Sequence, residues 1–118
     1  MSKVVFHRLD RDLIVRRLEH YARGELARRP EVRDAILIGS LARGDWSARS
    51  DADVVVVVDE AREHGPFRGA EYAPSERIGV PVDVLVYTPE EAAAWSPRFR
   101  GEVEGGILLY RRAVSRQP

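Results

Sequence analysis

Residues 50–58 read Ser-Asp-Ala-Asp-Val-Val-Val-Val-Val and carry the strongest structural signal in the chain. Consecutive β-branched residues favour an extended backbone, and the acidic pair Asp59-Glu60 closes the run. The apolar part is far shorter than the ~20 residues that span a bilayer. We therefore predict a buried strand over Ala52–Val58.

The segments on either side of this strand predict an α/β domain. Apolar residues spaced by three and four predict a helix between an Asp10 cap and Pro30. Short β-branched runs predict strands at residues 35–38, 80–87 and 107–110, and Thr88-Pro89 predicts a helix start. The order of these elements favours an α/β (α+β) domain with one small sheet and helices on at least one face.

Length and composition restrict the classes of function. The chain has 118 residues, of which 44% are hydrophobic and 32% charged, and its 19 basic and 19 acidic residues cancel. We expect one globular domain over residues 1–118, with a frayed tail at 115–118. A neutral chain is a poor candidate for direct nucleic-acid binding. It has no cysteine and no signal-peptide pattern, so we expect a cytoplasmic protein without membrane contact.

Three aspartates occupy unusual places beside or within predicted strands. Asp51 and Asp53 come at the start of the valine strand, and Asp83 lies inside the strand at 80–87. Aspartate is depleted in strands. Alternate strand residues project to one face, so Asp51 and Asp53 would lie roughly 7 Å apart on the same side. If the Asp83 strand lies beside the valine strand in the right register, three carboxylates converge.

Three converging carboxylates favour a metal site. Their mutual repulsion would raise their pKa values unless a cation lies between them. Oxygen ligands suit Mg²⁺ or Mn²⁺, and two such ions ~3.5–4 Å apart form a clamp for displacement at phosphorus. Taken singly, Asp51 could end a turn, Asp53 could lie at an exposed strand edge, and Asp83 could pair with an arginine. The combination favours a shared ligand.

A glycine-serine pair ends the strand at residues 35–38, shortly before these aspartates. Gly39 would allow the backbone to approach a ligand closely, and Ser40 offers a hydroxyl and an amide. If residues 41–45 form a helical turn, its free N–H groups would favour an anion. Gly-Ser alone is a weak signal, but its position between a strand and Asp51 makes it specific.

Together, the segments 39–44 (Gly-Ser-Leu-Ala-Arg-Gly), 50–53 (Ser-Asp-Ala-Asp) and 82–84 (Val-Asp-Val) closely resemble the nucleotidyltransferase superfamily that includes DNA polymerase beta. The short chain is most similar to the minimal nucleotidyltransferase branch, over roughly residues 10–111. Its closing segment, Gly105–Tyr110, is also similar to that branch. The resemblance implies a small mixed sheet with helices packed mainly on one face.

The resemblance also implies a reaction, in which two Mg²⁺ (or Mn²⁺) ions support transfer of a nucleoside monophosphate from an NTP, expected to be ATP, to a hydroxyl. Asp51 and Asp53 would hold the metals. Asp83 would complete the metal site on the acceptor side and help to deprotonate the hydroxyl. Gly39 and Ser40 would hold the phosphates.

Arg43 matches an arginine that often follows the Gly-Ser pair in this family. The resemblance implies that it contacts phosphate. An ion pair with Asp45 or Asp59 is an equally good interpretation of this residue. Ser50 is expected to shape the turn before Asp51 through its hydroxyl rather than to bind substrate.

The acceptor is expected to come from another protein. Larger family members carry a further helical domain for the acceptor, and this sequence leaves no room for one. In the minimal branch, the usual partner is a small all-helical HEPN protein, and the pair often acts as a toxin and its antitoxin, with a toxin tyrosine adenylylated. The alternatives are a non-catalytic module that binds nucleotide or partner, and a small-molecule (antibiotic) nucleotidyltransferase, whose pocket a homo-oligomer could complete.

Overall fold

The computed structural model describes residues 10–45, 50–60 and 66–113. Four helices and four strands form its regular structure, and two 3-10 turns lie at Leu26–Arg28 and Pro66–Tyr72. The predicted frayed tail at 115–118 lies outside the described residues. The elements are α1 (Arg11–Gly24), β1 (Val32–Ile38), α2 (Ser40–Arg43), β2 (Ala52–Val58), β3 (Val82–Tyr87), α3 (Pro89–Ala93), α4 (Pro97–Glu104) and β4 (Ile107–Arg111).

The four strands form one mixed sheet in the order β3-β2-β1-β4. β1 runs antiparallel to both β2 and β4, whereas β2 and β3 are parallel. Parallel neighbours need a long crossover, and residues 59–81 provide it. The predicted α+β class with a small mixed sheet is therefore confirmed.

The larger core lies between the sheet and α1. Asp10 caps this helix as predicted, since its side chain accepts a hydrogen bond from the Leu13 amide at 3.1 Å. The helix ends at Gly24, earlier than the predicted limit at Pro30, and the 3-10 turn then continues toward that proline. The residues that α1 buries follow the predicted spacing of three and four: Ile14, Leu18, Tyr21 and Ala22.

A smaller cluster covers the opposite face of the sheet, so helices pack on both sides rather than mainly on the one face that the resemblance implies. Here Trp95 and α4 lie over side chains of β1, β2 and β3, and α3 contacts β2 and β3. Trp95 packs edge-on against both Tyr87 and Phe99, with ring centroids 5.1 Å apart in each pair. Thr88 and Glu91 form a complete capping box at the start of α3, which confirms the predicted cap.

The start of β3 differs from the prediction. The strand begins at Val82 rather than at residue 80, and Asp83 is therefore its second residue rather than a central one. Pro81 lacks an amide hydrogen and stays outside the strand, but its carbonyl accepts a hydrogen bond from Ala52 at 2.9 Å. This bond fixes the starts of β2 and β3 side by side.

Among the described residues, no helix is long and apolar enough to cross a membrane.

Neighbouring leucines in β4 offer a test of which face of that strand is buried. Leu109 is fully buried, whereas Leu108 is 44% exposed. We expect Leu109→Ala to lower the free energy of unfolding by about 2–5 kcal/mol, because it leaves a cavity. The matched control, Leu108→Ala, should lower it by less than about 1 kcal/mol. Urea denaturation measures both, and equal losses would contradict the assigned face.

Candidate active site

The sheet places Asp53 and Asp83 directly beside each other. In the parallel pairing of β2 with β3, Asp53 is the register partner of Asp83, just as Ala52 is that of Val82. The sequence alone does not determine whether the two strands pair in a register that brings the carboxylates together. For Asp53 and Asp83 they do.

Both carboxylates lie on the sheet face that α4 covers. Val55 follows Asp53 by two residues and Leu85 follows Asp83 by two, and both apolar side chains belong to the smaller cluster under α3 and α4. Because strand side chains alternate between faces, Asp53 and Asp83 project to that same face. They lie where the apolar cluster ends, as the second residues of their strands.

Asp53 is in an unfavourable electrostatic environment. It is only partly exposed, and burial is the main reason that its pKa is raised above the usual aspartate range. The negative charges of Asp83, Asp51 and Glu102 raise the pKa further, in that order. A bound cation would relieve this repulsion.

Gly39 lies against Asp53. A Cβ atom at this glycine would come within 3.1 Å of Oδ2 of Asp53. The backbone of Gly39 also has φ 86° and ψ −160°, a conformation that is essentially restricted to glycine. The residue therefore has two reasons to be glycine, namely its backbone angles and its closeness to the carboxylate.

The segment that follows Gly39 is held in place by side chains from two other regions. Ser40 starts the short helix α2, and its hydroxyl donates to the Ser50 hydroxyl at 3.0 Å. This bond supports the expectation that Ser50 shapes the turn before Asp51. On the other side, Nε of Arg11 in α1 donates to the Leu41 carbonyl at 2.7 Å.

Arg43, at the end of α2, forms ion pairs with two acids. Its Nε lies 3.3 Å from Oδ2 of Asp45, and its Nη1 lies 3.2 and 3.1 Å from the two carboxylate oxygens of Glu102 in α4. The ion pair between Arg43 and Asp45, one of the two predicted from the sequence, is therefore present. The Asp59 alternative is wrong, because Asp59 pairs with Arg112 at 2.8 Å instead.

Asp51 lies outside the sheet, unlike Asp53 and Asp83. It precedes β2, so the register of the sheet does not hold its side chain, which is exposed. In residues 10–45, 50–60 and 66–113, no group of three or more acidic or histidine side chains lies close enough together to hold a metal ion. The predicted cluster of three carboxylates is therefore present as an adjacent pair with Asp51 beside it.

The donor chemistry of these residues fits a hard divalent cation. Asp53 and Asp83 are adjacent carboxylates, and the charge that raises the pKa of Asp53 is the charge that a cation neutralises. Mg²⁺ is usually bound through one or two carboxylates together with water and substrate phosphates. Two adjacent aspartates with a third nearby meet that requirement.

A separate cavity of about 680 Å³ lies farther along the same sheet face. Trp95, Val103 and Leu108 contribute to its lining, and the predicted site residues do not. Its position follows from the register, because Val57 in its wall lies four residues beyond Asp53 in β2. The acidic site and this cavity are therefore different places on the molecule.

Comparisons with known proteins agree with this geometry. Residues 21–110 match the family model described as a nucleotidyltransferase domain. The crystal structure of a candidate nucleotidyltransferase from Sulfolobus solfataricus matches with a TM-score of 0.57 and 20% sequence identity, over 95% of this chain and 93% of that one. At this identity the likeness shows a shared fold. No curated protein matches the sequence.

The chain belongs to the nucleotidyltransferase domain family, since the matched residues make up most of its length. The family resemblance predicted from the three motifs is confirmed, and with it the general activity, transfer of a nucleoside monophosphate. Glu102 and Arg11 were not predicted as neighbours of the site. Each lies on a helix distant in sequence from α2, and no local motif marks it.

Two glycines with positive φ allow the constraint at Gly39 to be tested. Gly39→Ala should lower the free energy of unfolding by about 1–3 kcal/mol from backbone strain, with a further loss from the approach to Asp53. Gly44 also has a positive φ of 90°, but no atom of the described residues lies within 4 Å of its added Cβ. Gly44→Ala is thus the control and should lose about 1 kcal/mol. A larger loss at Gly44 in urea denaturation would contradict this account.

The raised pKa of Asp53 predicts a pH-dependent stability difference. A carboxyl whose pKa is higher in the folded state than in the unfolded state destabilises the fold once it ionises. We expect Asp53→Asn to be more stable than the wild type at pH 7 in EDTA. This advantage should disappear as the pH falls below about 4, where the aspartate is protonated in both states. If the free energies of unfolding of the variant and the wild type differed by the same amount at every pH, the raised pKa of Asp53 would be contradicted.

Proposed function

We propose that this chain transfers AMP from ATP to a hydroxyl on a partner protein, with Asp53 and Asp83 at the centre of the site. The observation that carries the proposal is the register of β2 and β3, which makes these carboxylates neighbours. An aspartate pair at the start of two strands, beside a glycine whose backbone angles other residues rarely adopt, has no evident value for stability, because the pKa of Asp53 is raised there.

We assign the metal-binding role to Asp51, Asp53 and Asp83. When bound there, Mg²⁺ or Mn²⁺ would neutralise phosphate charge and polarise the reacting phosphoryl group. Gly39 and residues of α2 would hold the nucleotide, with Gly39 allowing close backbone approach, Ser40 binding phosphate oxygens and Arg43 offering its guanidinium. Positioning and charge neutralisation then account for most of the rate enhancement.

In the proposed reaction the acceptor oxygen forms a bond to the α-phosphorus of ATP. The bond between that phosphorus and the bridging oxygen to the β-phosphate breaks, and pyrophosphate leaves. Asp83 accepts the proton of the acceptor hydroxyl. Its exposed position at the edge strand β3 suits this role, because an acceptor carried by another protein has to reach it from outside.

For the acceptor we propose a tyrosine of a small all-helical HEPN-type protein, so that this chain is the antitoxin of a toxin–antitoxin pair. The family resemblance supports this partner. The exposure of both Asp51 and Asp83 is consistent with an acceptor that arrives on a second protein surface.

Transfer can be measured with the purified chain, α-labelled ATP, Mg²⁺ and a HEPN-type protein from the same genome. We expect label on the partner and a mass increase of one AMP on a tyrosine. Asp53→Asn and Asp83→Asn should each lower the rate by at least about 100-fold, because each removes charge needed in the transition state. Asp12→Asn, at an 81% exposed position in α1, is the control and should leave the rate unchanged.

Two results would contradict the proposal. One is the absence of label on any partner with the wild-type chain. The other is a variant with both Asp51→Ala and Asp53→Ala that still neutralises the toxin in cells, which would favour a binding module.

A further inference from the structure

Arg43 is bound by a carboxylate of a different helix. Both oxygens of Glu102 accept from Nη1 of Arg43, at 3.2 and 3.1 Å, and this contact joins α2 to α4 across 59 residues of sequence. Arg43 also keeps a local contact with Asp45 at 3.3 Å. The same guanidinium is the one that the proposed function assigns to the phosphates of the nucleotide.

Glu102 also lies near the acidic pair. Its charge is among those that raise the pKa of Asp53, so α4 brings a negative charge to the edge of the site. A nucleotide triphosphate is itself strongly negative. If the Glu102 carboxylate were unpaired, it would repel the triphosphate. When it is paired with Arg43, it occupies the guanidinium that the phosphates would bind.

We propose that Glu102 is a positioning residue that competes with the nucleotide for Arg43 and thereby sets the affinity for NTP. This inference rests on the proposed function, because it requires phosphates at α2. Binding of a triphosphate would transfer the Arg43 guanidinium from the carboxylate to phosphate oxygens and would open the contact between α2 and α4.

The burial of the two side chains makes such an exchange feasible. The Arg43 side chain is 50% exposed and that of Glu102 is 35% exposed. Ion pairs at such exposed positions are weak because water screens them. Phosphate offers the guanidinium the same fork-like geometry with more negative charge. The exchange therefore replaces a weak partner with a stronger one.

The test is equilibrium binding of the Mg²⁺ complex of a non-hydrolysable ATP analogue to four forms of the full chain. These are the wild type, Glu102→Gln, Arg43→Gln and the double variant. We expect Glu102→Gln to bind about five- to tenfold more tightly and Arg43→Gln to bind about tenfold more weakly. With Arg43 already replaced, Glu102→Gln should change the affinity by less than about twofold.

Glu104→Gln is the matched control, since it removes the same charge from the same helix. Glu104 is exposed and lines the separate cavity. Its replacement should change the affinity by less than about twofold. Glu102→Ala provides a second variant in case Glu102→Gln does not fold, as judged by urea denaturation.

The possible outcomes separate this inference from the proposed function. Tighter binding in Glu102→Gln that depends on Arg43 supports it. A wild type that binds the analogue, with Glu102→Gln no tighter or no different from Glu104→Gln, overturns this inference alone. A wild type that does not bind the Mg²⁺ complex of the ATP analogue overturns both.

Discussion

The parallel pairing of β2 with β3 is the constraint on which the site depends. The Ala52 amide bonds to the Pro81 carbonyl, and from that point the ladder places Asp53 opposite Asp83. Side-chain repulsion between two carboxylates opposes this register. The backbone ladder favours it, and a shift of one residue would turn Asp53 toward the core beneath α1, where Ala52 and Val54 are fully buried.

The apolar clusters on both faces of the sheet stabilise the fold against the repulsion between the carboxylates of the site. β2 is buried from Val54 to Val58, with α1 on one face and α3 and α4 on the other. Asp53 and Asp83, the second residues of β2 and β3, lie beyond the smaller of these two clusters. The polar groups of the site are therefore concentrated at one end of the sheet, where a nucleotide can reach them and where the core is not disturbed.

The site also joins segments that are far apart in sequence. Gly39 contacts Asp53, Arg11 holds the Leu41 carbonyl, and Arg43 binds Glu102. Two further helices, α1 and α4, thus contact α2 in the connection between β1 and β2. Under the proposed function, binding of phosphates to Arg43 would alter its contact with Glu102 in α4. This helix also packs on the smaller apolar cluster.

The sequence by itself determined the elements and the residue types of the site. The valine run, the Asp10 cap and the Thr88 cap are local signals, because strand propensity and capping act within a few residues. The tertiary structure alone decided the register that joins Asp53 to Asp83 and the contact between Glu102 and Arg43. These depend on contacts across dozens of residues, and a run of five valines that is buried on both faces does not by its pattern fix which residues of the next strand it pairs with.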